Sequence, residues 1–139
     1  MPEPLAEKIN LMLVHSIGCT AHFTQFAGIE ALTGPQDVVD MMVAEYQSRR
    51  DALVNGLNAI VGVSCRTPQG AFYAFPNVKS FGRPAAELAD LILDEVGVAL
   101  LPGTAFGQFG EGYLRLCYAT SIENIERAVE RMGQALGRA

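Results

Sequence analysis

Charge is scarce in this chain. Only 18% of its 139 residues are Asp, Glu, Lys or Arg, the net charge is −5, and the few cations form no patch. Nucleic acid and anionic membrane surfaces need clustered Lys and Arg, so both are excluded as partners. Long apolar runs are lacking too: residues 96–101 fall far short of the ~20 residues a membrane span requires. Met1-Pro2-Glu3-Pro4 offers neither the basic segment nor the apolar core of a secretory signal. Histidine occurs only at His15 and His22. With no cysteine or carboxylate cluster beside them, no metal site is expected, and no Ser-His-Asp or Cys-His arrangement can be assembled. The three cysteines, Cys19, Cys65 and Cys117, are odd in number and far apart. They suit reduced, packed thiols in a cytoplasmic protein.

What remains is apolar. Half the residues are hydrophobic, which excludes disorder, and the length suits about one domain with a real core. Residues 4–14 and 21–32 read as helices, separated by Ser16-Ile17-Gly18-Cys19-Thr20 and closed by Thr33-Gly34-Pro35. The next helix is the longest, with Val39, Met42, Val43, Tyr46, Leu53, Leu57 and Ile60 recurring at steps of three and four. About 25 residues give roughly 37 Å, enough to bridge two domains. Downstream, residues 62–66 and 71–76 read as strands around a tight turn, 84–95 as a helix, and 96–101 and 113–119 as strands. Thr120-Ser121-Ile122-Glu123 reads as a capping box opening a final helix, with Ile122, Ile125, Val129, Met132 and Leu136 in one stripe. The fold class expected is α/β, with an α+β small domain. Its short mixed or antiparallel sheet carries helices on one face, preceded by the long helix and two strongly apolar helices.

Arg115 carries the most information. It lies in Tyr113-Leu114-Arg115-Leu116-Cys117-Tyr118-Ala119, a segment that reads as a mostly buried strand. Period two places Tyr113, Arg115, Cys117 and Ala119 on one face and Leu114, Leu116 and Tyr118 on the other. A guanidinium cannot deprotonate to escape burial, so it needs an anion, and its planar fork matches a carboxylate. That anion is either an internal acid, Glu111 or Glu126, or the carboxylate of a ligand. The loop at 102–112 holds Gly103, Gly107, Gly110 and Gly112 but no phosphate-binding fingerprint. It reads as a connection needing positive φ, or else as a close approach to a small ligand. Phe72 and Tyr73 read as core packing ahead of ligand contact, and Arg49-Arg50-Asp51 as a solvated or ion-paired helix face, with Glu45 four residues before Arg49.

The order of several motifs adds to this. A helix ending in Glu30-Ala31-Leu32 is followed by Tyr46-Gln47-Ser48-Arg49-Arg50-Asp51, Pro68-Gln69-Gly70-Ala71-Phe72-Tyr73, Gly97-Val98-Ala99-Leu100-Leu101-Pro102-Gly103, Phe106-Gly107 and the Arg115 strand. Over essentially its whole length the chain resembles the C-terminal part of a class I/II aminotransferase, in the aspartate-aminotransferase-like branch of fold-type-I pyridoxal-phosphate enzymes. The resemblance implies that Arg115 binds the substrate α-carboxylate of an amino acid or 2-oxo acid. It also implies that residues 1–34 are the end of the large, cofactor-binding domain. Residues 35–139 would be the small domain, with 35–61 the linking helix. Members of that family hold pyridoxal 5'-phosphate through a Schiff-base lysine in a Ser-rich motif. The lysines here are Lys8 and Lys79, neither in such surroundings. The chain is therefore expected to be a truncated piece of a transaminase or same-fold lyase. On that expectation it is inactive alone, has no catalytic or cofactor-binding residue, binds no cofactor covalently, and associates into a dimer or larger homo-oligomer through Ile9, Leu11, Met12, Leu13, Phe23 and Phe26. The alternative is a stand-alone module that binds a carboxylate metabolite or a partner without catalysis.

Overall fold

The structure, a computed structural model, describes residues 1–138. The chain divides into two compact units, Met1–Val38 and Val39–Ala139. The first contains α1 (Glu3–Ser16) and α2 (His22–Thr33). Proline begins α1, where a missing N–H costs nothing, and Ser16 Oγ and Thr33 Oγ1 donate back to the carbonyls four residues earlier near the two helix ends. No residue of α1 or α2 is buried. Leu11, Met12, Leu13, Phe23 and Phe26 are all exposed, as expected, and Ile9 is half-buried.

The long helix α3 (Asp37–Ala59) has 23 residues, starting two before the first residue of the apolar pattern, Val39, and ending one before its last, Ile60. Its C-terminal half buries Leu53, Val54 and Leu57 in the second unit, while Met41, Met42 and Val43 stay exposed.

The second unit is a three-stranded antiparallel sheet in the order β1–β3–β2, from β1 (Tyr73–Ala74), β2 (Leu101–Pro102) and β3 (Leu114–Cys117). Helices α4 (Ala85–Val96) and α5 (Ile122–Leu136) complete it. Leu114, Leu116 and Tyr118 point to one side of the sheet. They share a core with Leu53 and Leu57 of α3, Leu88 and Ile92 of α4, and Ile125, Met132 and Leu136 of α5. Burying each large aliphatic side chain contributes at most about 1.5–3 kcal/mol, which is why the helices gather on this face alone.

Three local expectations are corrected. Residues 62–66 are not a strand: only Ser64 pairs, with Asn77, and no tight hairpin forms. The Asn58 side chain takes both backbone groups of Cys65 (donating to its carbonyl at 3.0 Å, accepting from its N–H at 2.7 Å), so that segment needs no strand partner. The strand expected at 96–101 starts only at Leu101. Gly97, at φ 68°, and Val98 donate to the closing carbonyls of α4, which occupies the residues meant for the ladder. Finally, Ser121 and not Thr120 caps α5, accepting from the Asn124 N–H at 3.3 Å. Asn124, not Glu123, thus fills the third helical position.

α4 shows a device invisible locally. Pro84 precedes it and provides no side-chain cap. Glu111 Oε1, 26 residues away, accepts from the Ala85 N–H at 2.8 Å and the Gly112 N–H at 3.0 Å. A carboxylate at a helix N-terminus satisfies an orphan donor and complements the helix dipole.

Candidate functional site

The face of the sheet opposite the core carries Arg115. β3 alternates as period two requires, with Leu114 and Leu116 buried, Arg115 half-buried and Cys117 exposed. Arg115 is therefore on the outward face of the strand, not inside a segment buried on both sides. Its register partner is Leu101 on β2, and Tyr73 on β1 pairs with Cys117.

Two aromatic rings hold the guanidinium. Its central carbon lies 4.3 Å from the Tyr73 ring centre and 4.2 Å from that of Phe106. Each such contact contributes about 0.5–1 kcal/mol where water has access, and more where it has not. Neither internal acid answers the charge. Glu111 is engaged at the start of α4, Glu126 is exposed on α5, and among the described residues no ion pair or hydrogen bond involves the Arg115 side chain. No buried side-chain nitrogen lacks a partner among those residues, so the unpartnered N–H groups of Arg115 open to solvent.

The same face continues outward. Phe75 stacks on Tyr113 at 5.5 Å and meets Phe106 edge-on at 6.4 Å, and the Lys79 ammonium lies 4.9 Å from the Tyr113 ring centre. Tyr73, expected in the core, belongs to this exposed side; Phe72, also expected in the core, is partly exposed and stacks on Tyr46 of α3 at 6.1 Å. Ala71 adopts φ 58°, and its carbonyl accepts from the Tyr118 hydroxyl at 2.9 Å. Beside Arg115, and sharing Tyr73 with it, runs a groove of about 610 Å³ lined also by Ser64, Arg66, Phe75, Asn77 and Tyr113.

The glycine-rich loop presents Phe106. It consists of two 3-10 turns, Gly103–Phe106 and Gln108–Gly110. Gly107 and Gly112 have positive φ, 120° and 77°. Gly103 and Gly110 serve a different purpose: each packs against the backbone of the other, where a Cβ would collide. Two of the four glycines thus meet the conformational expectation and two meet their own chain, not a ligand.

The remaining candidates are structural. Arg49 pairs with Glu45 at 2.8 Å and Arg50 with Asp51 at 2.7 Å, as expected of that helix face. Of the three cysteines only Cys65 is packed; Cys19 and Cys117 are exposed, Cys117 because it shares the outward register of Arg115. Burial pushes the Cys65 thiol and the Tyr118 phenol above their ordinary values. Lys8 is exposed on α1 and Lys79 is engaged with Tyr113; neither lines the grooves along α3, α5 or the sheet.

Sequence reasoning located Arg115 but missed its clamp. Tyr73 shares its outward register, a signal available from period two. Phe106 sits in a loop with no periodicity, and nothing local marks it.

An outward arginine thus sits on the central strand of a one-sided α/β layer. The chain belongs to the class I and II aminotransferases, whose family profile matches residues 5–132. It is similar to the aspartate aminotransferase of Pyrococcus horikoshii, 38% identical over 137 residues, covering 97% of this chain and 35% of that protein. The aromatic-amino-acid aminotransferase 2 of Thermococcus litoralis matches with the same identity and coverage. Among solved structures, the aromatic aminotransferase from Pyrococcus horikoshii OT3 superposes with a TM-score of 0.89 at 36% identity, covering 99% of this chain and 37% of that one. The chain thus spans about a third of the length of these relatives. Among the described residues, no helix is long and apolar enough to cross a membrane.

Proposed function

We propose that this chain carries the substrate-carboxylate side of a pyridoxal-phosphate-dependent transamination site, one that moves an amino group from an amino acid to a 2-oxo acid. The observation that carries the reading is Arg115: a guanidinium held between two rings, with no internal acid and its N–H edge open. Such an edge accepts a carboxylate in a bidentate pair and fixes its plane, so the rest of the substrate is aimed in one direction. The pair strengthens as a closing site loses water. Every amino acid and 2-oxo acid presents the same carboxylate, so Arg115 serves the reaction class and not one donor.

In this reading residues 1–34 correspond to the end of a large cofactor-binding domain, 35–139 to the small domain, and 35–61 to the helix joining them. Pyridoxal phosphate belongs to the large domain, and this chain supplies no lysine for it. The exposed apolar side chains of α1 and α2 suit association with that domain or with a second copy.

The test is direct. In an NMR titration with pyruvate, the Arg115 side-chain resonances shift saturably, with an affinity of about millimolar, because a single ion pair open to water contributes little. Arg115→Ala abolishes the response. No shift at Arg115, or a response surviving in Arg115→Ala, overturns the assignment. A second measurement concerns the cofactor: after incubation with pyridoxal phosphate and borohydride reduction, no stoichiometric adduct is expected at Lys8 or Lys79. A single lysine carrying one equivalent would contradict that part.

A further inference from the structure

The rings around Arg115 come from opposite sides of its strand. β3 is the central strand; Tyr73 belongs to β1 on one side, and Phe106 follows β2 on the other. Both rings contact the same guanidinium carbon, at 4.3 and 4.2 Å, yet they form no aromatic pair with each other among the described residues. They flank the cation instead of sharing one of its sides. Arginines held in place by a carboxylate are neutralised by the group that orders them. Aromatic faces order the cation while leaving its charge and its in-plane donors unspent.

We propose that Tyr73 and Phe106 are positioning residues that hold Arg115 by its two faces, and that this arrangement selects planar carboxylates over tetrahedral anions. The proposal rests on the reading of Arg115 as a carboxylate clamp. With both faces covered, only the coplanar N–H edge is presented. A carboxylate matches that edge with two parallel hydrogen bonds. A phosphonate or sulfonate can place two oxygens on the same edge, but its third oxygen projects out of that plane, to the side of one ring or the other. The loop is built to keep Phe106 in place: the Gly103 N–H donates to the Tyr113 carbonyl at 2.7 Å, and the Gly107 N–H to Thr104 at 3.1 Å. Gly103 and Gly110 close the loop by backbone contact. Tyr73 is fixed by the ladder to Cys117 and by contact with Phe72 at 4.7 Å.

The experiment separates the clamp from the ligand. Protons lying over aromatic faces are shielded, so the Arg115 Hδ and Hε resonances, assigned by their loss in Arg115→Lys, are expected upfield of those of the exposed Arg66 and Arg83. Phe106→Leu and Tyr73→Leu each remove part of the shift; Phe106→Tyr and Tyr73→Phe retain it. Circular dichroism and the urea midpoint identify any variant that fails to fold, and the conservative pair then decides between clamp and no clamp. Pyruvate affinity falls about threefold in each Leu variant and recovers in the conservative ones. Acetylphosphonate binds the wild-type chain more weakly than pyruvate, and the difference narrows in Phe106→Leu. An unshielded Arg115, or pyruvate affinity unchanged in both Leu variants, overturns the clamp. Acetylphosphonate binding as tightly as pyruvate overturns the selection. Shielding present while wild type ignores pyruvate would sink the carboxylate reading and leave the aromatic clamp standing.

Discussion

Helices α2 and α4 have the same length, 12 residues each, and both are rich in apolar side chains, yet one is wholly uncovered and the other buries four residues. The arrangement around the axis explains the contrast. In α4, Ala85, Leu88, Ala89 and Ile92 fall on one stripe, which the sheet and α5 cover together. In α2, Phe23, Phe26, Ile29 and Leu32 repeat at steps of three only, so each turns about 60° from the last and the apolar surface winds around the helix. A helix of that kind needs neighbours on more than one side. Apolar content alone therefore says little about where a helix belongs; its angular spread says how many surfaces it expects.

The largest expected effect comes from the covered region. Leu88→Ala or Met132→Ala, at fully buried positions, lowers stability by about 2–5 kcal/mol in urea unfolding. A loss below about 1 kcal/mol would mean that the α4–α5 layer is not the core. Next is the α5 cap. Ser121→Ala removes the acceptor for the Asn124 N–H and costs about 1 kcal/mol, whereas Thr120→Ala costs less; the reverse order would place the cap where the sequence alone suggested it.

Alkaline pH sharpens the same contrast. The Cys65 thiol and Tyr118 phenol are raised by burial, so their neutral forms favour the fold. That contribution is complete below their unfolded-state values and is lost as pH rises through the raised folded ones. The melting temperature should fall in that window, and iodoacetamide should label exposed Cys19 and Cys117 well before Cys65. Equal labelling of all three would show that the core does not shield Cys65. The smallest effect belongs to α2. Leu32→Ala, at an exposed site, should change monomer stability by no more than about 0.5 kcal/mol. It should instead weaken association, seen by sedimentation at micromolar concentration, where a dimer or larger species is expected. A monodisperse monomer would show that the winding apolar surface of α2 needs no cover.

Residue by residue, legibility followed range. The alternation of β3 was readable because period two involves only neighbours, and it put Leu114, Leu116 and Tyr118 on one face and Arg115 on the other; that the Arg115 face lies outward came only with the packing. The stripe of α5 was readable for the same reason. Residues 62–66 misled because their pattern is strand-like, while the Asn58 amide that replaces the strand ladder comes from the preceding helix. The cap of α5 was displaced by one because Thr120 and Ser121 are both competent acceptors, and only the backbone path chooses between them. Glu111 looked like a partner for Arg115 because both are charged and close in sequence. It instead answers an N–H 26 residues away.

By itself the sequence determined the periodicities, and with them the helices, the faces of β3 and the identity of the one arginine on that strand. Tertiary structure alone decided what surrounds that arginine: Tyr73 from one flank, Phe106 from the other, and no acid from either. The reason is physical. Periodicity is fixed by bonds and torsions a few residues long, whereas an environment assembled from positions 73, 106 and 115 exists only once three separate segments have packed.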